Sequence, residues 1–203
     1  MDIMKDMPDN YIDLAVVDPP YGGNDAIGLK DNKDYNKQAT ARTYYKVFVN
    51  KPPPEKYFVE LMRISKRQII WGVNFYNNYD LSGGRLVWDK KGTAFGRAEL
   101  AYLSMTKSVN ICEITWNGMI QENMKEKEKR IHPTQKPVAL YRWILQNYAK
   151  EGQLILDTHS GSGSCAIACH LEKFNFIAIE KDVDYHRDSV KRLEEIRSQG
   201  VLF

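Results

Sequence analysis

Short apolar runs alternate along this chain with amphipathic stretches. Residues 12–18, "IDLAVVD", form a β-branched run of the kind found in a strand buried on both faces. Ahead of it, Met1, Ile3, Met4 and Met7 are spaced like one face of a short helix closed by Pro8. In "PPPEKYFVELMRIS" (52–65) prolines open a helix, and Phe58, Leu61 and Met62 fall at helical spacing. "RQIIWG" (67–72), "RLVWDK" (85–90), "AELAYLSMT" (98–106) and "VNICEITW" (109–116) predict strands. After Pro137, "VALYRWILQNYAK" predicts an amphipathic helix ended by Gly152. A strand "QLILD" (153–157), a glycine turn, a helix over 163–173, a strand "FNFIAIE" (174–180) and a helix over 184–198 complete the pattern. Strands alternating with helices predict an α/β fold with a doubly wound, mostly parallel sheet. No internal repeat is present.

Two stretches break the periodicity. Residues 22–51 are polar and rich in Gly, Asn and Lys, which predicts a long loop, and loops of that length are usually functional or mobile. "NMKEKEKR" (123–130) reads as a solvated face or linker. The 203 residues suffice for one sizeable core but hardly for two domains. No apolar stretch approaches the roughly 18 residues that would span a bilayer, and "MDIMKDMPDN" lacks a signal-peptide layout. Cys112, Cys165 and Cys169 form no CxxC pair, so the expected setting is a reducing cytoplasm, with Cys165 and Cys169 as packing residues and no metal site.

Charge adds direction. The net charge is +3, but residues 1–150 carry 23 Lys/Arg against 17 Asp/Glu, whereas residues 151–203 carry 6 against 9. A basic front joined to an acidic rear suits a polyanion met on one side. Within residues 30–51, Lys30, Lys33, Lys37, Arg42, Lys46 and Lys51 outnumber Asp31 and Asp34, and Tyr35, Tyr44 and Tyr45 interleave with them. Cations for phosphates and rings for unstacked bases make a candidate nucleic-acid surface, which Lys90, Lys91 and Arg97 extend.

Two turns carry the chemistry. In "LDTHSGSGSCAIA" (156–168), Gly161, Gly163 and Ala166 satisfy G-x-G-x-x-A between a strand end and a helix start. Glu180 ends the next strand, where a carboxylate meets ribose hydroxyls in nucleotide-binding folds. On these residues alone, NAD and S-adenosylmethionine both remain open. In "VVDPPYGG" (16–23), Pro19-Pro20 is a stiff segment without N–H donors, and Asp18 before it is pushed into extended backbone. The Asp18 carboxylate and Pro19 carbonyl make a rigid acceptor pair beside the Tyr21 ring. An exocyclic amino group has its lone pair delocalised into the base. Two acceptors on its hydrogens would favour a pyramidal nitrogen and aim that lone pair at an incoming carbon, while Tyr21 stacks on an extruded base.

These motifs resemble the amino-methylating DNA methyltransferases, the adenine-N6 and cytosine-N4 enzymes that use S-adenosylmethionine. "DPPY" is similar to the family's catalytic motif, "HPTQKP" (132–137) to its cofactor-clamping motif, "LDTHSGSGS" to its glycine loop and "IAIEKD" to its acidic strand end; "LVWDK" also resembles a family strand. The catalytic motif precedes the glycine loop, the circularly permuted order of the beta group. The resemblance implies a Rossmann-like methyltransferase fold in a single domain, with a catalytic half over 1–116, a linker over 117–131 and a cofactor-binding half over 132–203. It implies that Asp18, Pro19, Pro20 and Tyr21 form the catalytic turn. Asp157, His159, Gly161 and Gly163 would line the cofactor pocket, with Glu180 on the ribose. His132, Thr134 and Lys136 would meet the methionine end, Lys136 as the cation for its carboxylate; His132 also reads as a turn-former before Pro133. The leading Asp favours adenine N6, with cytosine N4, RNA adenine methylation and a catalytically silent DNA-binding partner subunit as alternatives.

The sequence also departs from the family pattern. Thr158, His159 and Ser164 stand where the family loop usually has Pro, Phe and Thr. Relatives usually carry a Gly-Asp-containing strand ahead of the first helix, so the expected sheet lacks one edge strand. With no large recognition domain, residues 22–51 and 108–131 are the expected DNA-contact segments. A short site or a homodimer is the corollary, a cognate restriction endonuclease is a candidate partner, and a bacterial or phage-infected cytoplasm is the expected setting.

Overall fold

The computed structural model describes residues 2–22, 51–92, 96–117 and 120–199. Seven strands form one sheet: β1 (Leu14–Val17), β2 (Gln68–Trp71), β3 (Gly84–Asp89), β4 (Ala98–Leu103), β5 (Val109–Glu113), β6 (Leu154–Asp157) and β7 (Asn175–Ala178). Their order is β5-β3-β4-β2-β1-β6-β7. β1 pairs in parallel with β2 and β6, β6 with β7, and β3 with β5, whereas β4 runs antiparallel to both β2 and β3. The expected doubly wound, mostly parallel sheet is present, with β4 as its reversed strand. Among the described residues β5 and β7 are the edges.

Helices cover both faces because the central strands are apolar on both. Along β1, Ala15 and Val17 face one core with Tyr57, Phe58, Leu61 and Ile64, while Leu14 and Val16 face the other with Leu140, Ile144 and Ile167. The first set comes from α2 (Glu55–Ile64), whose apolar residues recur at i, i+1, i+4 and i+7 behind an extended Pro54. α1 (Asp2–Lys5) packs beside α2 through buried Met4; Ile3, expected to face inward, is 55% exposed because so short a helix buries only one side. The opposite face takes α3 (Val138–Tyr148) and α4 (Ser164–Leu171), and α5 (Val183–Gln199) packs on α4. Cys112, Cys165 and Cys169 are all buried and free, in keeping with packing roles. No helix among the described residues is long and apolar enough to cross a membrane.

Sheet order places the site. From β1 the chain winds outward to β2 on one side; β6 and β7 wind outward on the other. The crevice between the carboxyl ends of β1 and β6 is therefore a topological switch point, where ligands of open α/β sheets bind. Asp18 and Asp157 end or follow these two strands.

Candidate active site

A cavity of about 800 Å³ opens along this edge of the sheet. It is lined from β1's end by Asp18, Pro19, Pro20 and Tyr21, and from the "HPTQKP" turn by His132, Thr134 and Lys136. His159, Gly161 and Glu180 line it from the glycine-turn side. The two sequence motifs, more than a hundred residues apart, thus face a common space.

At the β1 end, charge is packed closely. Lys136 Nζ donates to Asp18 Oδ2 at 2.6 Å and to Tyr21 Oη at 2.8 Å, and lies 3.0 Å from Glu99 Oε2. Tyr21 in turn donates to Asp18 Oδ1 at 2.5 Å. Glu99, the second residue of antiparallel β4, also takes Lys90 Nζ at 2.5 Å. Reversal of β4 is what brings this acid to the reacting edge, since the start of an antiparallel strand lies beside the ends of its neighbours. Burial pulls the Lys136 ammonium down, but the Asp18 and Glu99 carboxylates outweigh it and hold its pKa up. Burial pushes Asp18 up against the opposing pull of Lys136. Burial likewise raises Glu99, yet Lys136 and Lys90 together bring it down to about 2. The result is an alternating row of two carboxylates and two ammoniums, with Lys136 only 4% exposed.

The acceptor pair is built as the turn's stiffness requires. Pro19 is buried, and its carbonyl accepts a hydrogen bond from Tyr76 Oη at 2.8 Å, one of two lone pairs. The Tyr21 ring lies 5.1 Å from Phe75 at 8°, a parallel stack whose outer member is 48% exposed. The ring's approach to the backbone requires Gly72: a Cβ there would sit 2.2 Å from Tyr21 Cε1, and its φ of +75° belongs to the left-handed region.

At the β6 end the loop is held by its own carboxylate. Glu180 accepts the Gly161 N–H at 2.7 Å and the Asp182 N–H at 2.8 Å. Gly163, at φ +73°, precedes the first residue of α4; a Cβ there would press Ser189 at 3.0 Å. His132 serves both as turn-former and as wall. Its carbonyl accepts the Gln135 N–H, its ring packs edge-on against Tyr185 at 4.4 Å, and a Cβ on Gly161 would lie 3.6 Å from that ring. Thr134 Oγ1 lies 3.2 Å from His132 Nδ1. Burial, helped by Arg130 and Lys136, lowers His132 to about 4.

Asp157 lies behind the wall, 3% exposed, and accepts the His159 N–H at 3.0 Å. Burial, only partly offset by that bond, raises its pKa to about 7. A buried carboxylate with spare lone pairs is costly unless a ligand brings donors or a cation. On the wall itself, the Glu180 carboxylate has further lone pairs to accept from a cofactor's ribose hydroxyls.

Several expected site residues lie elsewhere. Lys90, expected on the DNA surface, is instead a site member: Glu99 neutralises it and its ammonium lies 4.8 Å from the Trp88 ring centroid. Lys136, expected at the cofactor's carboxylate, is committed to Asp18 and Glu99. Lys91 and Arg97 are exposed beside the cavity. Lys30, Lys33, Lys37, Arg42 and Lys46 lie outside the described residues. Sequence reasoning missed Glu99, Phe75 and Tyr76; the available signal was a lone acid in the otherwise apolar strand run "AELAYL".

Comparison with known proteins adds independent findings. A family model described as DNA methylase, N6_N4_Mtase, matches residues 43–191. Type II methyltransferase M2.MboI of Moraxella bovis is 27% identical over 255 residues, covering 97% of this chain and 85% of that one. The crystal structure of the M1.HpyAVI–SAM complex superposes with a TM-score of 0.52 at 19% identity, over 94% of both chains. PvuII DNA methyltransferase, described as cytosine-N4-specific, gives 0.58 at 13% identity, over 96% of this chain and 86% of that one.

Proposed function

The chain belongs to the N6/N4 DNA methylase family, and on that footing we propose that it methylates the exocyclic N6 of adenine in a short DNA site, acting on a base swung out of the duplex. The family's methyl donor is S-adenosylmethionine, which supplies an electrophilic sulfonium methyl when bound. The observation carrying the proposal is that Asp18 and Pro19 line the same cavity as the glycine turn.

In this reading the target amino group gives one hydrogen to Asp18 and the other to the second lone pair of the Pro19 carbonyl. Asp18 already accepts from Tyr21 and Lys136, and a carboxylate has room for a further donor. Those two bonds fix its direction. The nitrogen gains a methyl and sheds a proton, and Asp18, raised by burial, is the acceptor in contact with it. The Tyr21–Phe75 stack offers the flipped base a flat apolar surface in exchange for its lost neighbours. Glu180, His132 and Thr134 hold the cofactor from the cavity wall, with Asp157 behind them. Lys91, Arg97 and the basic segment over 30–51 meet the phosphates, so DNA affinity falls steeply with added salt; a flat salt response would rule out phosphate-dominated contact.

The leading Asp of the catalytic turn favours adenine over cytosine; fold likeness does not separate them. Transfer of labelled methyl from S-adenosylmethionine to DNA and RNA, followed by nucleoside analysis, tests the proposal. N6-methyladenine in DNA is the expected product; N4-methylcytosine, label confined to RNA, or no transfer would overturn it.

A further inference from the structure

The turn that carries Asp157 also carries a histidine whose proton is positioned by two hydroxyls. Tyr57, from α2, sets its Oη 2.6 Å from Thr158 Oγ1, and that oxygen lies 3.0 Å from His159 Nδ1. Tyr57 packs edge-to-face on the imidazole, with centroids 5.3 Å apart. Tyr57 and Thr158 are buried, whereas His159 lines the cavity. Each bond allows either atom to donate, so proton accounting decides the direction. Among the described residues, Thr158 Oγ1 is the partner that the Tyr57 hydroxyl meets. If Tyr57 donates to Thr158 and Thr158 donates to Nδ1, every proton has an acceptor. The reverse order strands the phenolic proton in the core, at the desolvation cost of an unmade bond. Nδ1 is then the acceptor, and the hydrogen resides on Nε2. Burial keeps the ring neutral by lowering its pKa to about 4.

Resting on the S-adenosylmethionine reading above, we propose that His159 presents Nε2–H as a neutral donor to the carboxylate of the cofactor's amino-acid end, with Tyr57 and Thr158 as the positioning residues that fix its tautomer. Three observations converge. Lys136, one of the cations lining the cavity, is already shared by Asp18 and Glu99, which leaves a place for a neutral donor to the carboxylate. Asp157, two residues before His159, is 3% exposed and accepts the His159 backbone N–H from behind the wall, so between these two side chains it is the imidazole that faces the cavity. A neutral imidazole also supplies the bond without setting a second positive charge beside the sulfonium.

The test compares the affinities of S-adenosylmethionine and its decarboxylated analogue by calorimetry in the wild type, His159→Phe and Tyr57→Phe. His159→Phe should weaken S-adenosylmethionine by about tenfold or more and leave the decarboxylated analogue within about twofold. Tyr57→Phe should show the same selectivity at smaller size. Nitrogen-15 NMR of labelled histidine should find Nε2 protonated in the wild type and mixed tautomers in Tyr57→Phe, a readout that needs no cofactor. Equal losses for both ligands, an unchanged S-adenosylmethionine affinity in His159→Phe, or Nδ1 protonated in the wild type would each overturn this inference alone. A wild type that binds neither ligand would overturn the cofactor reading and this inference with it.

Discussion

The two ends of the cavity solve the problem of buried charge in opposite ways. At the β1 end, Asp18, Lys136, Glu99 and Lys90 neutralise one another within the fold. At the β6 end, Asp157 is buried with one backbone donor, and His132 and His159 are held neutral. The contrast follows the work assigned to each. The reacting end must present one carboxylate in a fixed direction before any ligand arrives, so its charges are satisfied internally. The cofactor end keeps Asp157 with a single backbone donor and, among the described residues, no paired cation, so its burial shows as a carboxyl held up to about 7.

Removing the cation from the paired end should do the most damage. Lys136→Met leaves the buried Asp18 without its cation and Glu99 with Lys90 alone, a loss of about 3–5 kcal/mol. Without their cation both carboxyls shift up, and a raised carboxyl loses stability as pH rises, so the fall in Tm should be larger at pH 8 than at pH 5. An equal fall at both would break the comparison.

Asp18→Ala should cost on the order of 10²–10³-fold in methyl transfer. At the unpaired end the effect has the opposite sign. The folded pKa of Asp157 is about 7 against 3.8 when unperturbed. Between those values the unfolded chain has released a proton that the folded chain keeps, so the stability from this group is full below 3.8 and gone above about 7. Asp157→Asn should therefore raise the Tm of the ligand-free protein at pH 8, leave it nearly unchanged at pH 4, and weaken cofactor binding. Thermal scans at both pH values check the first two. The smallest effect belongs to Lys90→Met, which removes one of the two cations holding Glu99 but leaves Lys136 in place. Its DNA affinity should keep the wild-type salt slope, because a neutralised lysine releases no counterions; a slope reduced by about one would return Lys90 to the phosphate surface.

Much of this was legible in the chain, for identifiable reasons. β1 and α2 announced themselves because their apolar positions are dictated by burial on two faces and one face, respectively. The glycine turn was legible because Gly161 and Gly163 adopt left-handed backbone that other residues resist. The direction of β4 was not legible, since an apolar strand reads alike both ways, and with it went Glu99. Nor was the destination of Lys136: its partners Asp18 and Glu99 are set by sheet order and not by any local pattern. Lys90 read as a surface cation because a lysine after "VWD" shows nothing of the carboxylate across the strand pair.

Independence of the cavity's two ends is the central claim. Cofactor affinity and methyl transfer, measured on one preparation of Asp18→Ala, test it most directly. We expect S-adenosylmethionine to bind within about threefold of the wild type while N6-methyladenine formation falls by about 10²–10³-fold. Transfer at the wild-type rate would contradict the assignment of Asp18, and loss of cofactor binding would contradict the independence of the two ends.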